Sequence, residues 1–210
     1  DRVLCHKKEH IENIEEIRTI KQSILMTRNI RATVDEGGNI VFRPDEEMVS
    51  IVIPSKDNVN MLKTCINSIV ENTEYGNYEI IVVDNGSNDE NSKKYVDKIS
   101  KVNGKYIYEK MDFNFSKMCN IGAENSQGKY ILFLNDDIEV TDSKWLTEMV
   151  GYCQLPETGA VGAKLLYPDT KNIQHCGVIN IQNGPVHCFG NMPDGDYYFG
   201  MTSLPYNFSA

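Results

Sequence analysis

Apolar and polar residues alternate along this chain at two periods, and each change of period marks an element. Ile11, Ile14, Ile17, Ile20, Ile24 and Leu25 recur at three- and four-residue steps, which is one face of an amphipathic helix. Arg31 to Phe42 then reads as a small β-hairpin turning at Gly37-Gly38, followed by the polar connector Pro44-Asp-Glu-Glu47. From Val49 onward, short apolar runs take turns with helical stripes. Val49-Ser-Ile-Val-Ile53 predicts a strand closed by Pro54, Tyr78–Val83 a second, Lys105–Tyr108 a third and Ala160–Leu166 a later one. Leu62, Cys65, Ile66, Ile69 and Val70 form the apolar face of a helix that Asp57 or Asn58 can cap. Ser92–Ile99 and Ser116–Asn125 are expected helices, and Trp145, Leu146, Met149, Val150 and Cys153 mark another. Tyr130–Leu134 is an unbroken apolar run, expected as a strand buried on both faces. Asn172–Tyr198, rich in Gly, Pro, Asn and Asp, reads as a long loop region with weak hairpin character.

Strands and helices alternating at this spacing predict an α/β fold, with βαβ units around a mostly parallel sheet. Right-handed crossovers bring the carboxyl ends of parallel strands to one edge, where open α/β sheets bind ligands. Three acidic strand ends fall there: Pro54-Ser-Lys-Asp57, Asp84-Asn-Gly-Ser, and Asn135-Asp136-Asp137. Asp57, Asp84 and Asp137 are therefore expected to line one crevice. A lone Asp-Asp is more often an acidic turn than a site. In company with the other two ends it becomes a candidate cation anchor, because hard carboxylate oxygens suit Mg2+ or Mn2+. No dinucleotide fingerprint or P-loop is present, leaving a nucleotide site in which carboxylates read the nucleoside and a metal carries the phosphates.

Composition narrows this further. The net charge of −9 argues against a nucleic-acid binder, which needs a basic face. It also requires a metal or backbone dipoles beside any bound diphosphate. No run approaches the roughly 18–20 apolar residues of a membrane span, and the polar opening is not a signal peptide. Six scattered cysteines without a C-x-x-C pair fit reduced thiols and speak against zinc. The expected location is cytoplasmic.

Val49-Ser-Ile-Val-Ile-Pro-Ser-Lys-Asp57, Glu79-Ile-Ile-Val-Val-Asp-Asn-Gly-Ser87 and Gly128-Lys-Tyr-Ile-Leu-Phe-Leu-Asn-Asp-Asp-Ile-Glu139 together resemble the family 2 glycosyltransferases of GT-A fold. Asn114-Phe-Ser-Lys-Met-Cys-Asn-Ile-Gly-Ala123, Val161–Asp169 and Ile173–Val178 are similar to the bacterial rhamnosyltransferase-like subgroup. The likeness runs over about residues 46–210. It implies a GT-A-type, Rossmann-like sheet flanked by helices, with residues 1–45 as a preceding helix-and-hairpin segment. Arg2-Val-Leu-Cys-His6 looks like the tail before the second of two tandem transferase domains, which implies a fragment of a larger protein.

The resemblance also implies roles. Pro54, Ser55 and Asp57 would lie along the nucleoside, and Asp84 would accept a hydrogen bond from the base. Asn135-Asp136-Asp137 occupies the family's Asp-x-Asp position, with Asp137 the metal ligand and Asp136 on ribose or metal. Asn135 departs from the commoner Asp. Lys117 and Asn120 would face the nucleotide, and His175 and His187 would shape the donor-sugar or acceptor pocket. The implied reaction moves a sugar from a UDP- or dTDP-sugar, with inversion, to a glycan or lipid-linked acceptor in surface polysaccharide synthesis. That places the work at the inner face of the membrane. The family's general base is expected beyond Ala210, so this chain reads as the donor half of a domain; Asp169, Asp194 and Asp196 are weak substitutes. A sugar-nucleotide pyrophosphorylase would need a Gly-rich, Arg-containing loop after the first strand, which Pro54-Ser-Lys-Asp-Asn58 lacks. A non-catalytic nucleotide-sugar-binding module is the other alternative.

Overall fold

The computed structural model describes residues 13–88, 91, 94–95 and 103–195. Asn13 caps helix α1 (Ile14–Thr27), its Oδ1 accepting from the Glu15 amide at 3.1 Å. The expected hairpin follows as β1 (Ala32–Val34) and β2 (Ile40–Phe42), with Gly38 at φ +81° in the turn, a conformation glycine adopts freely.

Strands β3 (Val49–Ser55), β4 (Tyr78–Asp84), β5 (Gly104–Tyr108) and β6 (Tyr130–Phe133) form one parallel sheet in the order β5-β4-β3-β6. Helices α2 (Val59–Glu71), α3 (Phe115–Glu124) and α4 (Trp145–Cys153) connect and cover it. Side chains of β3 and β4 alternate between faces. Ile51, Ile53, Ile80 and Val82 pack with Leu62, Ile66 and Ile69 of α2 and Leu146 and Val150 of α4. Val52, Ile81 and Val83 pack on Met118 of α3. This is the mostly parallel α/β sheet flanked by helices that the alternation predicted.

Two glycines set how closely the layers approach. A Cβ on Gly122 of α3 would lie 2.2 Å from Val52 Cγ1, and one on Gly128 would lie 2.6 Å from the Ser50 backbone nitrogen. Behind Gly128, buried Glu79 accepts from Ser50 Oγ at 2.6 Å and from the Gln127 amide at 2.7 Å, fixing the entry to β6. Gly122→Ala should therefore destabilise the sheet unit by about 1–3 kcal/mol through overpacking. A fall in urea midpoint at unchanged slope would show it.

Three expectations about strands change. The first strand does not close at Pro54 but continues through Ser55, because pairing to β6 has ended at Val52 and the missing proline N–H costs no ladder bond there. The run Tyr130–Leu134 is not buried on both faces. β6 is an edge strand of this sheet, and Ile131 and Phe133 are about half exposed on the α3 side. The strand expected over Ala160–Leu166 shortens to β7 (Leu165–Leu166), since Ala160, Gly162 and Ala163 have little apolar surface to bury. The helix expected over Ser92–Ile99 lies almost wholly outside the described residues, as do Asp196 and the segment before Asn13.

The contacts divide into two units, Asp1–Leu155 and Pro156–Ala210. In the first, the hairpin rests on α4: Phe42 meets Tyr152 edge-on at 4.6 Å and leaves no room for a side chain at Gly151. In the second, β7 runs antiparallel to β8 (Ile173–His175), and β9 (Val178–Ile181) and β10 (Gly184–His187) form a hairpin within the region expected as loop.

Candidate functional site

The register pairs Ser55 with Asp84, so β3 and β4 end side by side, with the end of β6 on the other flank of β3. Beyond the last strand residues the loops are laced together. The Ser87 amide donates to Asp84 Oδ1 at 2.6 Å, and the Tyr106 hydroxyl donates to Asp84 Oδ2 at 2.5 Å. The Asp57 amide donates to Ser87 Oγ at 2.8 Å, and Asp57 Oδ1 accepts from the Asn88 amide at 2.9 Å. Asp57 itself sits at φ +50°, a left-handed conformation that Asp tolerates better than most residues. Pro54 is buried just before this lattice begins.

Asn135 and Ile138 close a turn, with the Ile138 amide donating to the Asn135 carbonyl at 3.4 Å, so Asp136 and Asp137 occupy its two central positions. Ser55 Oγ donates to Asp136 Oδ2 at 2.7 Å and ties the turn to β3. Burial pushes the Asp136 carboxyl above its usual range, the Ser55 bond opposes this, and the neighbouring Asp137 adds to it. Under the turn the Cys65 thiol faces the Asn135 carbonyl at 3.7 Å; burial first, then Asp136 and Asp137, raise it to about 12, so it is an inert, protonated thiol. Asp137 is exposed and makes no hydrogen bond or ion pair among the described residues.

The structure thus brings Ser55, Asp57, Asp84, Asn135, Asp136 and Asp137 to one edge. They are not alike. Asp84 is 1% exposed and each of its oxygens already accepts one bond from the chain, so little of it is open to a ligand. Asp137 is the crevice carboxylate with neither oxygen hydrogen-bonded among the described residues. Lys117 and Asn120 lie on the exposed face of α3, and neither side chain is hydrogen-bonded to the crevice residues. Ser87, Asn88, Tyr106 and Cys65 escaped sequence reasoning. Their types are ordinary: the pairing of β4 with β5 brings Tyr106 to Asp84, that of β4 with β3 brings Ser87 and Asn88 to Asp57, and the packing of α2 puts Cys65 under the Asn135 turn.

In the second unit, His175 and His187 do come together, Nδ1 to Nδ1 at 2.9 Å, with their rings edge to face at 5.0 Å. At that distance one ring donates and the other accepts. Burial, and then His187, hold His175 below its ordinary 6.5. The unfolded chain therefore binds the proton first as pH falls. The β8–β10 region should keep its full stability above pH 6.5, lose it as pH drops through that value, and level off below the lowered value of His175. Amide exchange across Val178–His187 measured against pH reads this directly, and an imidazole titrating above 6.5 at His175 would contradict it. Asp194 pairs with Lys164 at 2.7 Å, and Asp169 lies exposed in a turn.

Residues 50–176 match the family described as glycosyl transferase family 2. The chain belongs to this family. It is 40% identical over 168 residues to the uncharacterised protein y4gI of Sinorhizobium fredii, covering 78% of this chain and 18% of that protein. It is 36% identical over 153 residues to the O-antigen biosynthesis protein RfbC of Myxococcus xanthus, covering 70% and 12% respectively. The chain therefore spans less than a fifth of the length of either relative. Among solved structures, the mannosyltransferase PcManGT of Pyrobaculum calidifontis, in complex with GDP-Man and Mn2+, superposes with a TM-score of 0.54. It shares 15% identity with this chain, over 74% of this chain and 45% of its own. That likeness establishes a common fold. Membership stands at the level of family 2, not of its rhamnosyltransferase-like subgroup. No described helix is long and apolar enough to cross a membrane.

Proposed function

We propose that this chain holds the nucleotide-sugar donor of a metal-dependent glycosyltransferase at the carboxyl edge of its parallel sheet. The observation that carries this is the Asn135-Asp136-Asp137 turn. It is anchored to β3 through Ser55, yet it presents Asp137 with both oxygens free. The residues fit Mg2+ or Mn2+: they are hard carboxylate donors on an ordered turn. Among the described residues no three His, Cys, Asp or Glu side chains gather into a closed cage. Mg2+ usually keeps several waters and takes its other ligands from substrate phosphates, so one or two carboxylates suffice. Asp137 would be the direct ligand, with Asp136 beside it. Such an ion supplies positive charge against the leaving diphosphate. A diphosphate otherwise enters a crevice bearing Asp57, Asp84, Asp136 and Asp137 in a chain of net charge −9.

The chain's own contribution is position. Asp84, Ser87, Asn88 and Asp57 hold the β3 and β4 loops as a fixed floor along which the nucleoside lies, with Pro54 and Ser55 beneath it. Lys117 and Asn120, exposed on α3, are the further candidates for contact with the donor. The acceptor is a glycan or lipid-linked saccharide whose hydroxyl attacks opposite the leaving group and inverts the anomeric centre. A general base takes its proton. A role in surface polysaccharide synthesis accords with the name of the Myxococcus relative, an O-antigen biosynthesis protein.

Calorimetry of the chain with UDP, dTDP, GDP and their sugars, with and without MnCl2, tests the reading. Binding of at least one nucleotide that disappears on chelation supports it. Metal-independent binding, or none, rejects it.

A further inference from the structure

Phe113 is the most exposed large apolar side chain among the described residues, at 73%. Its position makes that exposure unusual. Asn114 caps α3, with Oδ1 accepting from the Lys117 amide at 2.9 Å, so Phe113 stands immediately before the cap. An apolar residue there commonly packs on the fourth helical residue. That residue is Met118, which is 2% exposed and spends its surface on Val52, Ile81 and Val83. Phe113 makes no ring contact among the described residues.

The backbone carrying it is nonetheless well tied to the crevice. The Glu109 amide donates to the Asp84 carbonyl at 2.9 Å, and Lys110 lies so close to Gly86 that a Cβ there would meet its Cγ at 2.8 Å. The Met111 amide donates to Asn85 Oδ1 at 3.1 Å, and the Asn85 amide donates to the Ser55 carbonyl at 3.0 Å. Ser55 in turn holds Asp136. Phe113 is thus two residues from a backbone anchored, through Asn85 and Ser55, to the acidic turn.

The sheet order β5-β4-β3-β6 gives this a direction. The acidic turn follows β6, and the Phe113 loop follows β5. Three strand intervals separate them, roughly 14 Å at the usual spacing. A nucleotide anchored by its diphosphate at Asp137 and lying across the end of β3 carries its base toward β4 and β5. There Asp84 and Asn85 are each 1% exposed, so the edge-reading groups are enclosed.

We propose that Phe113 is the stacking platform for the nucleobase of the donor, so that the base is held by its face. This deepens the donor-binding reading above and rests on it. Calorimetry in MnCl2 separates the two. The ligands are the tightest of UDP, dTDP and GDP, and inorganic pyrophosphate; the proteins are wild type, Phe113→Ala, Phe113→Tyr and Asp137→Ala. Phe113→Ala should weaken the nucleotide by roughly ten- to a hundredfold, the range of one base–aromatic stack, while Phe113→Tyr stays near wild type. Pyrophosphate, which has no base, should bind all but Asp137→Ala equally. If Phe113→Ala binds the nucleotide like wild type while Asp137→Ala loses it, the platform is wrong and the donor site stands. An equal loss for pyrophosphate in Phe113→Ala also overturns the platform, and wild-type protein binding neither ligand overturns both readings.

Discussion

Asp137→Ala should abolish Mn2+-dependent nucleoside diphosphate binding while leaving the folded chain intact. The asymmetry comes from its surroundings: Asp137 is exposed and bonds to nothing among the described residues, so its removal orphans no partner. Replacing groups that merely orient a metal ligand costs about 10–100-fold in affinity, and losing the ligand itself should cost more. Asp136→Ala should behave differently. It strands the Ser55 hydroxyl and frees the turn from β3, so binding and thermal midpoint should fall together. Calorimetry alongside a melting curve distinguishes the two variants. If Asp137→Ala binds nucleotide and Mn2+ as wild type does, the metal assignment fails.

Ile51→Ala should produce the largest loss of stability. Ile51 lies in β3, flanked by β4 and β6, is 0% exposed, and packs in the cluster that joins the sheet to α2 and α4. Truncating such a residue removes its transfer free energy and leaves a cavity, together about 2–5 kcal/mol. Against a typical domain stability of about 5–15 kcal/mol that is a large fraction. Because β3 also carries Ser55 and the floor of the crevice, nucleotide binding should weaken in step with the unfolded fraction. Urea titration followed by tryptophan fluorescence reads the change at Trp145, which packs against the same cluster. A shift below about 1 kcal/mol would mean that the site collapses around the gap.

The parts legible in the sequence share one property: their signal is local and periodic. β3, β4, α2 and α3 were all readable within a residue or two because burial on a sheet or helix face imposes a period of 2 or 3.6. The crevice was legible for a related reason. Parallel strands must end on the same edge, so acidic residues closing β3, β4 and β6 had to meet near Asp57, Asp84 and Asp137. The failures were equally physical. Tyr130–Leu134 has the composition of a doubly buried strand, but burial on the α3 side depends on having a neighbour beyond β6, which a run of apolar residues does not specify. The weak hairpin character read over Asn172–Tyr198 does appear, as the β9–β10 hairpin at Val178–His187, though turn-forming residues on both sides blurred its bounds. Asp84 looked like a free base-reading carboxylate because nothing near it in sequence announces Tyr106, which is 22 positions away and reaches it only through the β4–β5 pairing.

What the sequence determined by itself, then, is the alternating α/β plan, its membership of family 2 and the sheet edge at which three acidic strand ends meet. All three follow from short-range patterns, helped by a chirality rule that leaves only a handful of topologies. Tertiary structure alone decided the division of labour among the carboxylates. Asp84 is enclosed by Ser87 and Tyr106, Asp136 is tethered to Ser55, and Asp137 is left open. It also decided that Phe113 is left 73% exposed before α3, and that a Cβ at Gly122 would crowd Val52. A carboxylate's role is set by which donors surround it and how much water reaches it. Those donors come from other strands, so no stretch of the chain contains the answer.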